Sequence, residues 1–195
     1  RPETGSSGDG FAWLRKIGHT IIEPTASLVP VAVKDGWVKE IAGLSLADVK
    51  IATFQNGAKQ HTRKGKILFT HFGLSGPAIL NMSNDIGELL KYGEVIISID
   101  VFPSLDHGAL NAKLQEIFKE QQNKKFKNSL SALVPSALAS AIAGLSKINP
   151  EKQCNVITRE ERLTLVDILK NITIRADKLL GEDKAIVSSG GVSLD

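Results

Sequence analysis

One cysteine in 195 residues, Cys154, excludes an internal disulfide and a thiolate metal site, and it suits a reducing, cytoplasmic setting. It lies between Gln153 and Asn155 with no histidine beside it, so it reads as an ordinary surface or boundary thiol. The four histidines (His19, His61, His71 and His107) include no pair four residues apart, so no metal site is expected. Uncharged apolar runs such as 133–146 are short, rich in Ala, Ser and Gly, and interrupted by Pro135, which excludes a membrane span there. No Gly-x-Gly-x-x-Gly follows a strand. Gly5, Gly8 and Gly10 run in the reverse spacing, and no acidic residue follows on a second strand to hold a ribose. Internal repeats and low-complexity tracts are also missing.

What remains is ordinary for a globular chain: 42% hydrophobic and 23% charged residues, enough for a core, with a net charge of only +3. The positive charge is clustered. Lys59, Arg63, Lys64 and Lys66 surround His61, and Lys119, Lys124, Lys125 and Lys127 form a second group. Either set could meet the phosphates of an RNA or cover a solvated turn and helix end. With no aromatic beside them other than Phe126, solvation is the plainer reading.

Two textures divide the chain. From Thr20 to about Val101, short β-branched and alternating runs predict strands at 20–22, 27–33, 37–41, 49–54, 59–62, 66–70 and 94–101. Asp35-Gly36 and Asn56-Gly57 read as hairpin turns between them. After Phe102-Pro103, the stripe Leu110, Leu114, Ile117 and Phe118 predicts an amphipathic helix over 106–122. Shorter helices follow at 129–134 and 136–145, and Thr158-Arg-Glu-Glu161 is a capping box opening a helix to Lys170. Strands return at 171–175 and 185–188. The fold class is therefore α+β: a small antiparallel β-barrel plus a helical bundle. Its parts are a connector with a short helix (1–19), the barrel (20–103), the helical part (104–170) and return strands (171–195).

Residues 69–80, Phe69-Thr-His-Phe-Gly-Leu-Ser-Gly-Pro-Ala-Ile-Leu80, are the most informative stretch. A strand runs through a Gly-bracketed turn into a helix, with Ser75 at the N-cap position and Pro77 in the first turn. This spacing would aim Thr70, His71, Ser75 and free helix N–H groups at one spot, suited to an anion, a polarised carbonyl or a cofactor edge. It is also what a well-capped strand-to-helix connection looks like. A Ser75/His71 hydrolase triad is excluded because Gly-Leu-Ser-Gly-Pro is not the Gly-x-Ser-x-Gly elbow.

Together with Pro2–Gly10, Gly18-His19, Ser27-Leu-Val-Pro30 and Ser189–Asp195, this motif resembles the BaiN/RdsA-type NAD(P)/FAD-dependent oxidoreductases, including aminoacetone oxidase-like flavoproteins. The matches come in the family's order and spacing, with the middle helical region matching loosely. The resemblance implies that the chain is an insert on the substrate side of a FAD-binding domain that is absent here. The intact protein would carry FAD, use NAD(P)H, and act on a small organic molecule or a uracil of ribosomal RNA. It implies His71 and Ser75 as catalytic residues facing the flavin or substrate. Thr4, Gly5, Ser7, Gly8, Asp9, Gly190 and Gly191 would lie against the cofactor, and Lys59, Arg63, Lys64 and Lys66 are the candidate RNA contacts. The missing FAD-binding domain is the expected partner, and no membrane is expected. The alternative is a non-catalytic binding or interdomain module that never touches the reacting atoms.

Overall fold

The computed structural model describes residues 8–181 and 184–194. The chain leaves α1 (Asp9–Lys16) for β1 (Ile21–Ser27), breaks at Leu28, whose φ is 53°, and resumes as β2 (Val31–Val33). One helical turn, α2 (Trp37–Glu40), precedes a long hairpin of β3 (Ser45–Gln55) and β4 (Ala58–Phe69). Then come β5 (Gly73–Ser75), α3 (Pro77–Leu90) and β6 (Ile96–Asp100). The helices α4 (His107–Glu120), α5 (Phe126–Ser129), α6 (Ser136–Ser146) and α7 (Arg159–Lys170) follow, and β7 (Ile172–Leu179) and β8 (Val187–Val192) complete the order.

Six antiparallel strands close as a barrel in the order β2-β5-β4-β3-β6-β7. Alternation fills its interior: Val49 and Ile51 of β3, Ile67 and Phe69 of β4, Ile97 and Ile99 of β6, and Ile172 and Ile174 of β7 are all buried. Helix α3 crosses one end of the barrel and buries Ile79, Met82 and Ile86 there. The sequence-derived hairpin at Asn56-Gly57 is present. Both residues take positive φ, 51° and 76°, as the twist-matched type I′ turn requires.

The helical part is one unit inserted between β6 and β7. Asp106 caps α4 by accepting from the Ala109 N–H at 2.7 Å, and the Thr158/Glu161 capping box opens α7 as its sequence predicts. The rings of Phe118 and Phe126 meet edge to face, 6.4 Å apart. Where this unit joins the barrel, Lys170 is only 11% exposed. Its ammonium meets Asp100 at 2.7 Å and donates to the carbonyls of Phe102 and Leu105.

Several boundaries differ from the sequence reading, each for a tertiary reason. The strand expected at 37–41 is the helical turn α2, and Asp35-Gly36 is no hairpin. The Asp35 carboxylate instead accepts from the backbone N–H and guanidinium of Arg175, while its carbonyl accepts from Val38 N. That leaves Val38 fully buried and sets Trp37 against Phe69, with rings 6.3 Å apart. The run 27–33 is broken at Leu28, and the runs 59–62 and 66–70 are one continuous strand, β4. The helix expected over 129–134 starts earlier, as α5, and ends in a 3-10 turn at Leu130–Ala132. Cys154 is buried in the helical unit rather than at its surface.

The close approach of β5 to β2 depends on Gly73, at φ 154°, where a Cβ would sit 2.3 Å from the Val31 carbonyl oxygen. Gly73→Ala is expected to lower stability by about 1–3 kcal/mol through this strain. A urea midpoint unchanged from the parent would contradict that.

Candidate functional site

The segment 69–76 is a β-hairpin rather than a strand-to-helix turn. Thr70 and Gly73 exchange backbone hydrogen bonds, and the Thr70 hydroxyl also bonds to Gly73, leaving His71 and Phe72 at the tip. The His71 imidazole is exposed, with the Phe72 ring edge-on at 4.9 Å. Ser75 is a strand residue paired with Leu68, and α3 takes Gly76 as its N-cap, with no side-chain cap. The expected convergence of His71 and Ser75 is therefore not formed. Phe72 at the tip and Gly73 and Leu74 of β5 lie between them in the chain.

The chain's described ends form a second feature. β1 and β8 pair outside the barrel as a two-stranded ribbon, with Ile21 opposite Val192 and Ser27 opposite Val187. α1 packs on this ribbon and is tied to it by an Arg15–Glu23 ion pair. Gly8, rather than Asp9, is the N-cap of α1, while Asp9 places a carboxylate in the first turn, where the helix dipole favours it. Gly190 faces the irregularity in β1, where a Cβ would lie 2.8 Å from the Glu23 carbonyl oxygen, and a Cβ on Gly191 would touch the Phe11 ring at 3.7 Å. These glycines thus have a packing reason that involves no cofactor. Thr4, Gly5 and Ser7 lie outside the described residues. α1, β1 and β8 together form a small foot that leaves apolar side chains open, with Trp13 66%, Ile17 74% and Ile22 57% exposed.

Ribbon and hairpin tip lie at opposite ends of β2. The ribbon leaves beside Leu28–Pro30, where α3 receives the Val29 N–H on Ser83 and bonds Ser27 through Asn84. The tip lies by Val33, whose N–H donates to the Phe72 carbonyl. An open cleft of about 700 Å³ lies between α3 and the end of β7, lined by Asn84, Gly87, Glu88, Leu90, Lys91, Asp177, Lys178 and Leu179. A second, of about 400 Å³, lies between α2 and α6 around Trp37 and Ala141. Neither His71 nor Ser75 lines these clefts.

The basic residues of β4 are all exposed. Register adds what the sequence hides. Lys50 lies opposite Lys64, Ala52 opposite Thr62 and Phe54 opposite Lys59, with an irregularity that returns Lys59 to the face of Lys64. The second basic group differs: Lys125 and Lys127 both hold Glu151, whose carboxyl their hydrogen bonds pull down to about 2. Among the described residues no cluster of three or more His, Cys, Asp or Glu could hold a metal, and no helix is long and apolar enough to cross a membrane. His61 and His107 instead stand 3.8 Å from Asp85 and Asp167.

Comparison with known proteins matches residues 25–187 to the family model described as the HI0933-like protein barrel and H2TH domain. The ribosomal RNA dihydrouridine synthase of Escherichia coli is 28% identical over 192 residues, covering 98% of this chain and 45% of that protein. The Haemophilus influenzae protein of the same name is 25% identical, with 98% and 45% coverage. The 3-dehydro-bile acid delta(4,6)-reductase of Clostridium scindens is 24% identical, with 96% and 46% coverage. The chain therefore spans a little under half the length of these relatives.

Proposed function

This chain belongs to the HI0933-like family of barrel and H2TH domains, and from that membership we propose that it is the substrate-side domain of a FAD-dependent oxidoreductase using NAD(P)H. The observation that carries the reading is the foot. α1, β1 and β8 gather into one small unit whose apolar face, with Trp13, Ile17 and Ile22, is left open for the FAD-binding domain to cover. Names of the relatives support a reductive reaction, one on a nucleotide of RNA and one on a bile acid derivative.

The described residues do not fit a flavin by themselves. The space beside Gly190 and Gly191 is taken by β1 carbonyls and Phe11, so no backbone cradle for a pyrophosphate is left there. The flavin, which supplies the redox chemistry, is held by the other part of the protein. This chain contributes substrate contacts. Saturating a conjugated double bond consumes a hydride equivalent and a proton, and we assign the proton-handling role to His71, an exposed imidazole on a short hairpin braced by Thr70. Ser75, paired within the barrel wall, is assigned a supporting place beneath the hairpin.

The second reading, an interdomain module remote from the reacting atoms, draws on two observations: His71 lines neither cleft, and it lies at the end of β2 away from the ribbon. Purification separates the possibilities. The full-length protein is expected to be yellow and to oxidise NADPH when structured RNA or a conjugated enone is added. The 195-residue chain alone is expected to be colourless, and stoichiometric flavin absorbance on it would overturn the assignment of the cofactor to the other domain.

A further inference from the structure

We propose that the outer face of the β3–β4 hairpin is the docking surface for the phosphate backbone of an RNA. β5 pairs with β4 only at Leu68 and Phe69, so the β4 segment 58–66 is an open edge. An open edge invites pairing with another chain unless charge prevents it, and the charged residues of 58–66 are all basic, while Asp100, opposite Lys50 on β6, is held by Lys170. Register puts Lys50, Lys59 and Lys64 on one outer face, and strand alternation adds Lys66. None of these four lysines has an ion pair among the described residues, whereas in the second basic group Lys125 and Lys127 both hold Glu151. Lys59 to Lys66 spans about 23 Å at about 3.3 Å per residue, long enough to follow several successive phosphates.

One aromatic lies in the row. Phe54, directly opposite Lys59, is half-buried in that face, where an unstacked base could rest on it. Arg63 lies opposite the buried Ile51, on the other face with α3, and stands apart from the lysine row. The surface fits RNA better than an anionic membrane because its cations line one face of the β3–β4 hairpin and its one large apolar side chain, Phe54, is half-buried, with no apolar anchor standing out to enter a bilayer. This proposal rests on the reading of the chain as the substrate-side domain of a reductase and names RNA as the substrate class.

The test uses the full-length protein, a structured ribosomal RNA fragment and a salt series. In K50Q/K59Q/K64Q/K66Q, the slope of log affinity against log salt should fall by roughly 3, near 0.7–0.9 for each phosphate contact removed. K119Q/K124Q, on the helical unit, should bind RNA as the parent does. F54A should weaken binding to single-stranded RNA about tenfold or more while leaving the salt slope in place. An unchanged slope in the quadruple variant, an equal loss in K119Q/K124Q, or parent binding to vesicles of 30% anionic phospholipid tighter than to RNA would overturn the surface. Lysine-dependent RNA binding without RNA-stimulated NADPH oxidation would remove the functional reading and leave the surface standing. RNA-stimulated oxidation that ignores the lysines would do the reverse.

Discussion

Lys170→Ala is expected to lower the stability of the protein by about 3–5 kcal/mol, more than any surface change considered above. The ammonium uses all three of its hydrogens, on Asp100 and on the carbonyls of Phe102 and Leu105. Asp100, 15% exposed at the side chain, also accepts from the Phe102 N–H at 2.9 Å. Truncation leaves a nearly buried carboxylate and two carbonyls without their donor, where the chain passes between the helical unit and the barrel. For a chain of this size the loss corresponds to a Tm lower by roughly 10 °C. The double variant D100L/K170M removes both charges and keeps the volume, and should recover most of the deficit. A melting temperature for Lys170→Ala within 2 °C of the parent, on the order of half a kcal/mol, would show the latch to be ornamental.

On the proposed reading of the full-length protein as a reductase, His71→Ala should reduce turnover by about 10²–10⁴-fold, the usual contribution of a positioned proton donor. Stability should hardly change, because the ring is exposed on a two-residue tip and fills no core space. Replacement by Gln should rescue little, since an amide can hydrogen-bond but cannot hand over a proton. The readout that a structural role would not move is the split between kcat and KM: kcat should fall while KM for the reductant stays near the parent value. Parent-like turnover would place His71 outside the reaction and favour the interdomain reading.

The split between strand-rich and helical halves was legible because each period needs only a local pattern. Alternating β-branched residues can bury one face only as strands, and Leu110, Leu114, Ile117 and Phe118 can do so only as a helix. Asn56-Gly57 and Thr158–Glu161 were legible for the same reason, since a type I′ turn and a capping box are complete within four residues. Asp35-Gly36 looked equivalent and was not, because Arg175, 140 positions away, takes the Asp35 carboxylate.

The same limit separates the motif from its geometry. The residues of 69–80 could be recognised in order, but pairing with Val31 and Leu68 decided that Ser75 is a strand residue and that His71 rides a hairpin tip. Lys50 and Phe54 joined the basic face only through register, and Lys170 met Asp100 only once α7 returned the chain to the barrel. By itself the sequence determined most element types and the order of a strand-rich part followed by a helical part, both properties of contiguous residues. Tertiary structure decided which of those residues share a surface, because strand register and barrel closure are settled by the burial of all six strands together.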